Sequence, residues 1–159
     1  MVIHLDYGNS KKIMKEIQSN INIIGGGLIG VAAAYSLSKL GNKVVILEQN
    51  TKFNHNKILD KRTTAISEGT KKFLEQINVW DLIVNYAEPI KKIQIIDRNQ
   101  SNKIYFDNQR RNSNLGYIVK NEYILDSLYR KLLKQKNVKI FNNVSVKDIY
   151  YESDRIVSK

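Results

Sequence analysis

The sequence predicts an α/β fold, with a βαβ unit near its start and an added region of antiparallel strands beyond. Three observations predict it. A short apolar run, INII at 21–24, ends directly in Gly25-Gly26-Gly27. The stretch LIGVAAAYSLSKLG follows, rich in small and apolar residues, and Gly41-Asn42 stops it as a helix is stopped. Residues 43–48, KVVILE, are almost continuously apolar, as a parallel strand covered on both faces requires. Strand, glycine turn, helix, turn and strand in roughly thirty residues make one βαβ unit.

The remaining elements follow in order. After a polar loop at 49–62, Ser67 or Glu68 opens a helix over TKKFLEQI, and WDLIVNYA forms a second, shorter one. Residues 92–97 and 103–107 alternate apolar and polar around RNQSN, which predicts a hairpin. Asn121 is the expected N-cap of a helix over 121–136. Ile124, Leu125, Leu128, Leu132 and Leu133 fall at helical spacing on one stripe of it. Residues 138–141, 144–151 and 155–158 read as three short closing strands, and 1–20 as an N-terminal extension.

Composition narrows the function classes. The chain has 159 residues, 42% of them hydrophobic, enough for one domain of ordinary size or the front part of a larger one. It has no cysteine, which excludes disulfides, thiolate zinc sites and a catalytic thiol. No stretch approaches the roughly 18 consecutive apolar residues of a spanning helix, and the first twenty residues lack the apolar core of a secretory signal. A cytoplasmic protein is expected. The net charge of +11 raises the question of an anionic partner. Its Lys and Arg are spread singly and in pairs (Lys11-Lys12, Lys71-Lys72, Lys91-Lys92, Arg110-Arg111), with no aromatic-interleaved basic stripe. Solvated faces explain this pattern, and a nucleic-acid partner is not expected. His4 and His55 sit in polar segments without a metal-ligand pattern and read as surface residues.

Gly25, Gly27 and Gly30 give G-x-G-x-x-G between a strand and a helix, the context that a Rossmann-like dinucleotide fingerprint needs. Gly25 permits a tight turn. Gly27 lets backbone N–H groups approach a pyrophosphate at the helix N-terminus, where Leu28 and Ile29 begin the helix. Gly30 lets the helix lie close to the first strand. Glu48, at the end of the second strand, can accept hydrogen bonds from the ribose hydroxyls of an adenosine, and would repel a 2′-phosphate. Spacing leaves FAD and NAD both open.

Beyond this unit the chain resembles the FAD-dependent aromatic-ring monooxygenases of the p-hydroxybenzoate hydroxylase type, and in particular their ubiquinone-biosynthesis branch. Asp60-Lys61-Arg62-Thr63-Thr64-Ala65-Ile66-Ser67 is similar to that branch's D-x-R-x-x-A-[IL]-S stretch. FLEQINVWDLI and AEPIKKIQIID, which come next, resemble its L-G-x-W-like turn and the strand beyond it. Leu115-Gly116-Tyr117-Ile118-Val119-Lys120-Asn121 is similar to its L-G-Y-V-V-E-N. The resemblance runs over about 21–150 and points to FAD, in a glutathione-reductase-type FAD-binding fold. It implies that Arg62 lies along the flavin's phosphate–ribityl side and that Asn121 lies near the pyrophosphate or ribityl chain. Lys120 stands where the branch has an acid, and Asn78 replaces the glycine usual before V-W.

In the resembled enzymes NAD(P)H reduces the flavin and oxygen then hydroxylates an electron-rich ring. Those enzymes are about twice this length or more. Their D-G and G-D segments and their substrate-facing sheet have no counterpart in this sequence. Residues 21–159 thus read as the N-terminal portion of an incomplete FAD-binding domain: a fragment, a degraded copy, one part of a split enzyme or a shortened sequence. The expectation is a portion inactive alone or completed by a complementary chain, with peripheral association at the inner membrane or with a ubiquinone-biosynthesis complex. No catalytic residue is assigned within it. The competing readings are a non-catalytic basic interaction module on the same fold and an NAD-dependent reductase domain. Without further cover, the apolar faces at 121–136 and 138–158 are expected to promote self-association.

Overall fold

In the computed structural model, residues 2–5, 15–50, 61–96, 103–107, 113–152 and 155–158 are described. His55, the side chain of His4, Asp60, the hairpin turn RNQSN and the Arg110-Arg111 pair lie outside them. The elements run β1 (Val2–Leu5), β2 (Lys15–Gln18), β3 (Ile21–Ile24), α1 (Leu28–Lys39), β4 (Val44–Glu48), β5 (Thr63–Ile66), α2 (Glu68–Gln76) and α3 (Trp80–Ile83). A 3-10 turn, Val84–Tyr86, leads to β6 (Glu88–Ile90), β7 (Lys92–Ile96), β8 (Lys103–Asp107), β9 (Gly116–Lys120), α4 (Asn121–Leu132), β10 (Val138–Asn142), β11 (Ile149–Glu152) and β12 (Arg155–Ser158). The chain divides into two units, residues 1–58 with 128–159, and residues 59–127.

The first unit holds the expected βαβ core. Strands β3 and β10 flank β4, both parallel to it. All five residues of β4 are buried, because it is central and covered on both faces. Helix α1 packs on β3 and β4 through Val31, Ala34, Tyr35 and Ser38, and ends at Gly41, whose φ of +87° favours glycine. On β4, Val45 and Leu47 join Ile3 and Ile17 in a second apolar layer. Complete burial of side chains such as Ile3 and Leu47 contributes about 1.5–3 kcal/mol each. Asn137 ties the end of the helix to the start of β10, its Nδ2 donating to Ser38 O at 2.8 Å and to Asn42 O at 2.7 Å.

The stretch read as an N-terminal extension supplies two strands of a further sheet, ordered β11-β12-β1-β2. Ile3 stands opposite Ile17 in the antiparallel pair, and Val2 opposite Val157 in the parallel one. Residues 144–148, expected as strand, are not. The chain turns at Asn143, φ +58°, Val144 N donates to Glu48 O at 2.9 Å, and Val144 and Val146 pack onto the apolar layer instead.

The second unit contains an antiparallel sheet, β5-β9-β6, with Pro89 on an edge strand where its missing N–H is tolerated. Ser67 caps α2, its Oγ accepting from Thr70 N at 3.2 Å. The helix closes through Asn78 at φ +57°, with Val79 N donating to Leu74 O at 2.8 Å. Asparagine is the residue best able to replace glycine in that left-handed position, so the departure at 78 keeps the turn. The hairpin β7–β8 forms as expected, with Ile93 opposite Phe106 and Ile95 opposite Ile104. All four share one face, and all four are exposed. In α4 the stripe Ile124, Leu128 and Leu132 is buried and only Leu133, just beyond it, is exposed, so the hairpin rather than the helix carries the open apolar face.

Candidate functional site

Parallel pairing of β3 with β4 brings Ile24 opposite Leu47, and Gly25 N donates to Leu47 O at 2.8 Å as the chain leaves the sheet. Three glycines then do different work. Gly25 has φ +97°, which favours glycine. A Cβ on Gly30 would stand 2.0 Å from Gly25 O and 3.4 Å from Ile23 Cγ2, so α1 lies too close to the turn for any side chain there. Gly27 has an ordinary φ of −71°, and nothing lies within 4 Å of where its Cβ would stand. The chain's own geometry thus requires glycine at 25 and 30 but not at 27, where a side chain would only fill open space.

That space adjoins the N-terminus of α1. No side chain caps this helix, and its first turn, Leu28 onward, has no acidic residue. Backbone N–H groups without helical partners and the positive end of the dipole therefore remain. Leu28 is half-buried, and Ile29 is 84% exposed.

Glu48 reaches into the same turn. It is only 8% exposed, and its Oε2 accepts from Gly26 N at 2.6 Å. Its Oε1 accepts from Asn50 N at 2.8 Å and from Asn50 Nδ2 at 3.0 Å. Burial pushes the carboxyl pKa up. Hydrogen bonds from Gly26, from the backbone and side chain of Asn50 and from the backbone of Gln49 outweigh it and hold the group below the ordinary Glu range. Burial and the Glu48 charge push the phenol of Tyr129 upward, so it stays protonated. An uncapped helix start, an open cradle and a fixed carboxylate can together take a diphosphate at the donors and sugar hydroxyls at the acid. These residues fit a dinucleotide.

The second unit brings Arg62 and Asn121 together by pairing β5 with β9. Asn121 N donates to Arg62 O at 2.9 Å, and Thr64 Oγ1 donates to Asn121 Oδ1 at 2.6 Å. Asn121, expected as an N-cap, is the first residue of α4 and is 5% exposed, while Arg62 is exposed. Gly25, Gly27, Leu28, Ile29, Gly30 and Glu48 belong to the first unit. Sequence reasoning missed Asn50, although an asparagine two residues past an acid at a strand end can donate from both backbone and side chain. Among the described residues no group of three or more His, Asp or Glu could hold a metal, and no helix is long and apolar enough to cross a membrane.

Comparison with known proteins agrees with this geometry. The family described as FAD binding domain matches residues 18–153. The mitochondrial ubiquinone biosynthesis monooxygenase COQ6 of Danio rerio is 34% identical over 125 residues, covering 71% of this chain and 25% of that protein. The corresponding protein of Dictyostelium discoideum is 28% identical over 154 residues, covering 86% and 31%. The chain thus spans about a quarter to a third of these curated relatives. Among solved structures, p-nitrophenol 4-monooxygenase PnpA from Pseudomonas putida DLL-E4 superposes with a TM-score of 0.70 at 21% identity, over 86% of this chain and 34% of that one. The flavin-dependent monooxygenase PieE, in complex with FAD and substrate, gives 0.70 at 14% identity, over 89% and 26%. These two likenesses are of fold. With residues 18–153 matched, the chain belongs to the FAD-binding domain family, and FAD is its cofactor.

Proposed function

We propose that the chain is the FAD-binding portion of a flavin-dependent ring hydroxylase akin to those of ubiquinone biosynthesis, and that it works only with the remainder of such an enzyme, in the same or a complementary chain. The observation that carries this reading is the Glu48 carboxylate held 2.6 Å from Gly26 N, beside an uncapped helix start and the open cradle at Gly27. The relatives named above, monooxygenases by name, support the reaction class.

Bound FAD supplies the redox chemistry, drawing on NAD(P)H and oxygen. The chain's own part is binding and orientation. On this reading the backbone N–H groups from Gly27 through Leu28 and Ile29 hold the pyrophosphate, Gly25 and Gly30 shape the turn, and Glu48 holds the adenosine ribose. Arg62 presents a planar donor fork to the phosphate–ribityl side, and Asn121 an amide to the pyrophosphate or ribityl chain. The protein would work peripherally to a membrane, in keeping with relatives that are mitochondrial by name.

Titration of the purified chain with FAD and with FMN, followed by flavin fluorescence and absorbance, tests the binding role. The expected result is binding of FAD in clear preference to FMN, which lacks the adenosine. Equal affinity for both, or for neither, would remove the adenosine site from the account.

A further inference from the structure

Resting on the assignment of Glu48 to the ribose, we infer that the side-chain amide of Asn50 is the exchangeable occupant of the ribose position, released from Glu48 when a sugar hydroxyl arrives. A carboxylate has about four acceptor positions. In this structure three donors converge on Glu48: Gly26 N on Oε2 at 2.6 Å, and Asn50 N at 2.8 Å and Asn50 Nδ2 at 3.0 Å on Oε1. Both acceptor positions of Oε1 and one of Oε2 are thus filled by the protein itself. The two hydroxyls of a ribose find one open position between them, and the second can bond only if a donor leaves.

Two of the three are backbone N–H groups, one on the glycine turn and one on the chain just past β4. The third sits on a rotatable side chain of an exposed residue. It also shares Oε1 with its own backbone N–H, so Oε1 keeps a donor when the amide swings away. Orientation of the carboxylate therefore does not depend on the amide, whereas the vacancy for the sugar does. Asn50 acts as a specificity-setting residue: ligands that bring hydroxyl donors to Glu48 repay the release, and ligands without them do not.

The test compares the full chain with Asn50→Ala and Glu48→Gln by calorimetric titration with ADP and with 2′,3′-dideoxy-ADP. The exchange predicts that Asn50→Ala binds ADP about threefold tighter, since the net value of one released hydrogen bond is lost from the competition. It predicts no gain for the dideoxy nucleotide. Weaker ADP binding by Asn50→Ala, or an equal change for both nucleotides, overturns the exchange while leaving the ribose assignment intact. ADP affinity unchanged by Glu48→Gln overturns the ribose assignment and the exchange with it. In the wild-type chain, the Asn50 side-chain amide resonances should shift on adding ADP and stay in place with the dideoxy analogue. A shift of equal size with both again counts against the exchange.

Discussion

Gly30 stands so close to Gly25 that a Cβ placed on it would lie 2.0 Å from the Gly25 carbonyl oxygen. The obstacle is backbone, so no side chain can rotate out of the way. Gly30→Ala must push α1 off the turn, and overpacking of this kind costs about 1–3 kcal/mol. Urea denaturation should show that loss. An unchanged midpoint would mean that the helix does not approach the turn this closely.

The acid at the end of β4 gives a pH prediction. Glu48 is held below the ordinary Glu value of 4.5, so its folded pKa lies under its unfolded one. Its contribution to stability is then complete above that value and is lost as pH falls through the folded pKa. An NMR titration of the Glu48 carboxyl should give a midpoint below 4.5, and Asn50→Ala should move it upward. A wild-type midpoint at or above the ordinary value would contradict the hydrogen-bond pattern.

In the second unit, Thr64 Oγ1 donates to the buried Oδ1 of Asn121. Thr64→Val keeps the shape and removes the donor, which should destabilise the chain by about 1–3 kcal/mol. Thr64→Ser should recover most of the loss in the same thermal melt. Equal melts for Thr64→Val and wild type would show that the bond carries no stability.

Much of this arrangement is legible in the sequence, and the limits have physical causes. The βαβ unit is readable because INII, the glycine triplet and KVVILE are local signals of three different kinds at fixed spacing. The hairpin at 92–107 is readable from its alternation. Strands β1 and β2 are not, because four residues each, set among charged neighbours, become strands only through partners as remote as Val157. Residues 144–148 mislead for the converse reason: Val144 and Val146 alternate like a strand, yet they are partly covered by packing onto the apolar layer rather than by pairing. At the site, Gly25, Gly27, Gly30 and Glu48 follow from a spacing rule. The Asn50 contacts depend on how the chain turns after Glu48, which no spacing rule fixes.

The open face of the β7–β8 hairpin predicts behaviour in solution. Ile93, Ile95, Ile104 and Phe106 form one exposed apolar surface on a two-stranded sheet. Patches of this kind drive association. Sedimentation should show concentration-dependent self-association of the chain, relieved by Ile95→Lys with Phe106→Lys and unaltered in melting. A monomer at all concentrations would contradict this.

FAD affinity of Gly27→Val is the sharpest measure of a pyrophosphate seated at the start of α1, because nothing in the chain itself requires glycine there. A pyrophosphate held there should leave the variant with affinity lowered by at least about tenfold, and with stability reduced by no more than the roughly 1 kcal/mol of a poorer N-cap. An unchanged FAD affinity in a folded Gly27→Val protein would contradict the placing of the pyrophosphate at this helix.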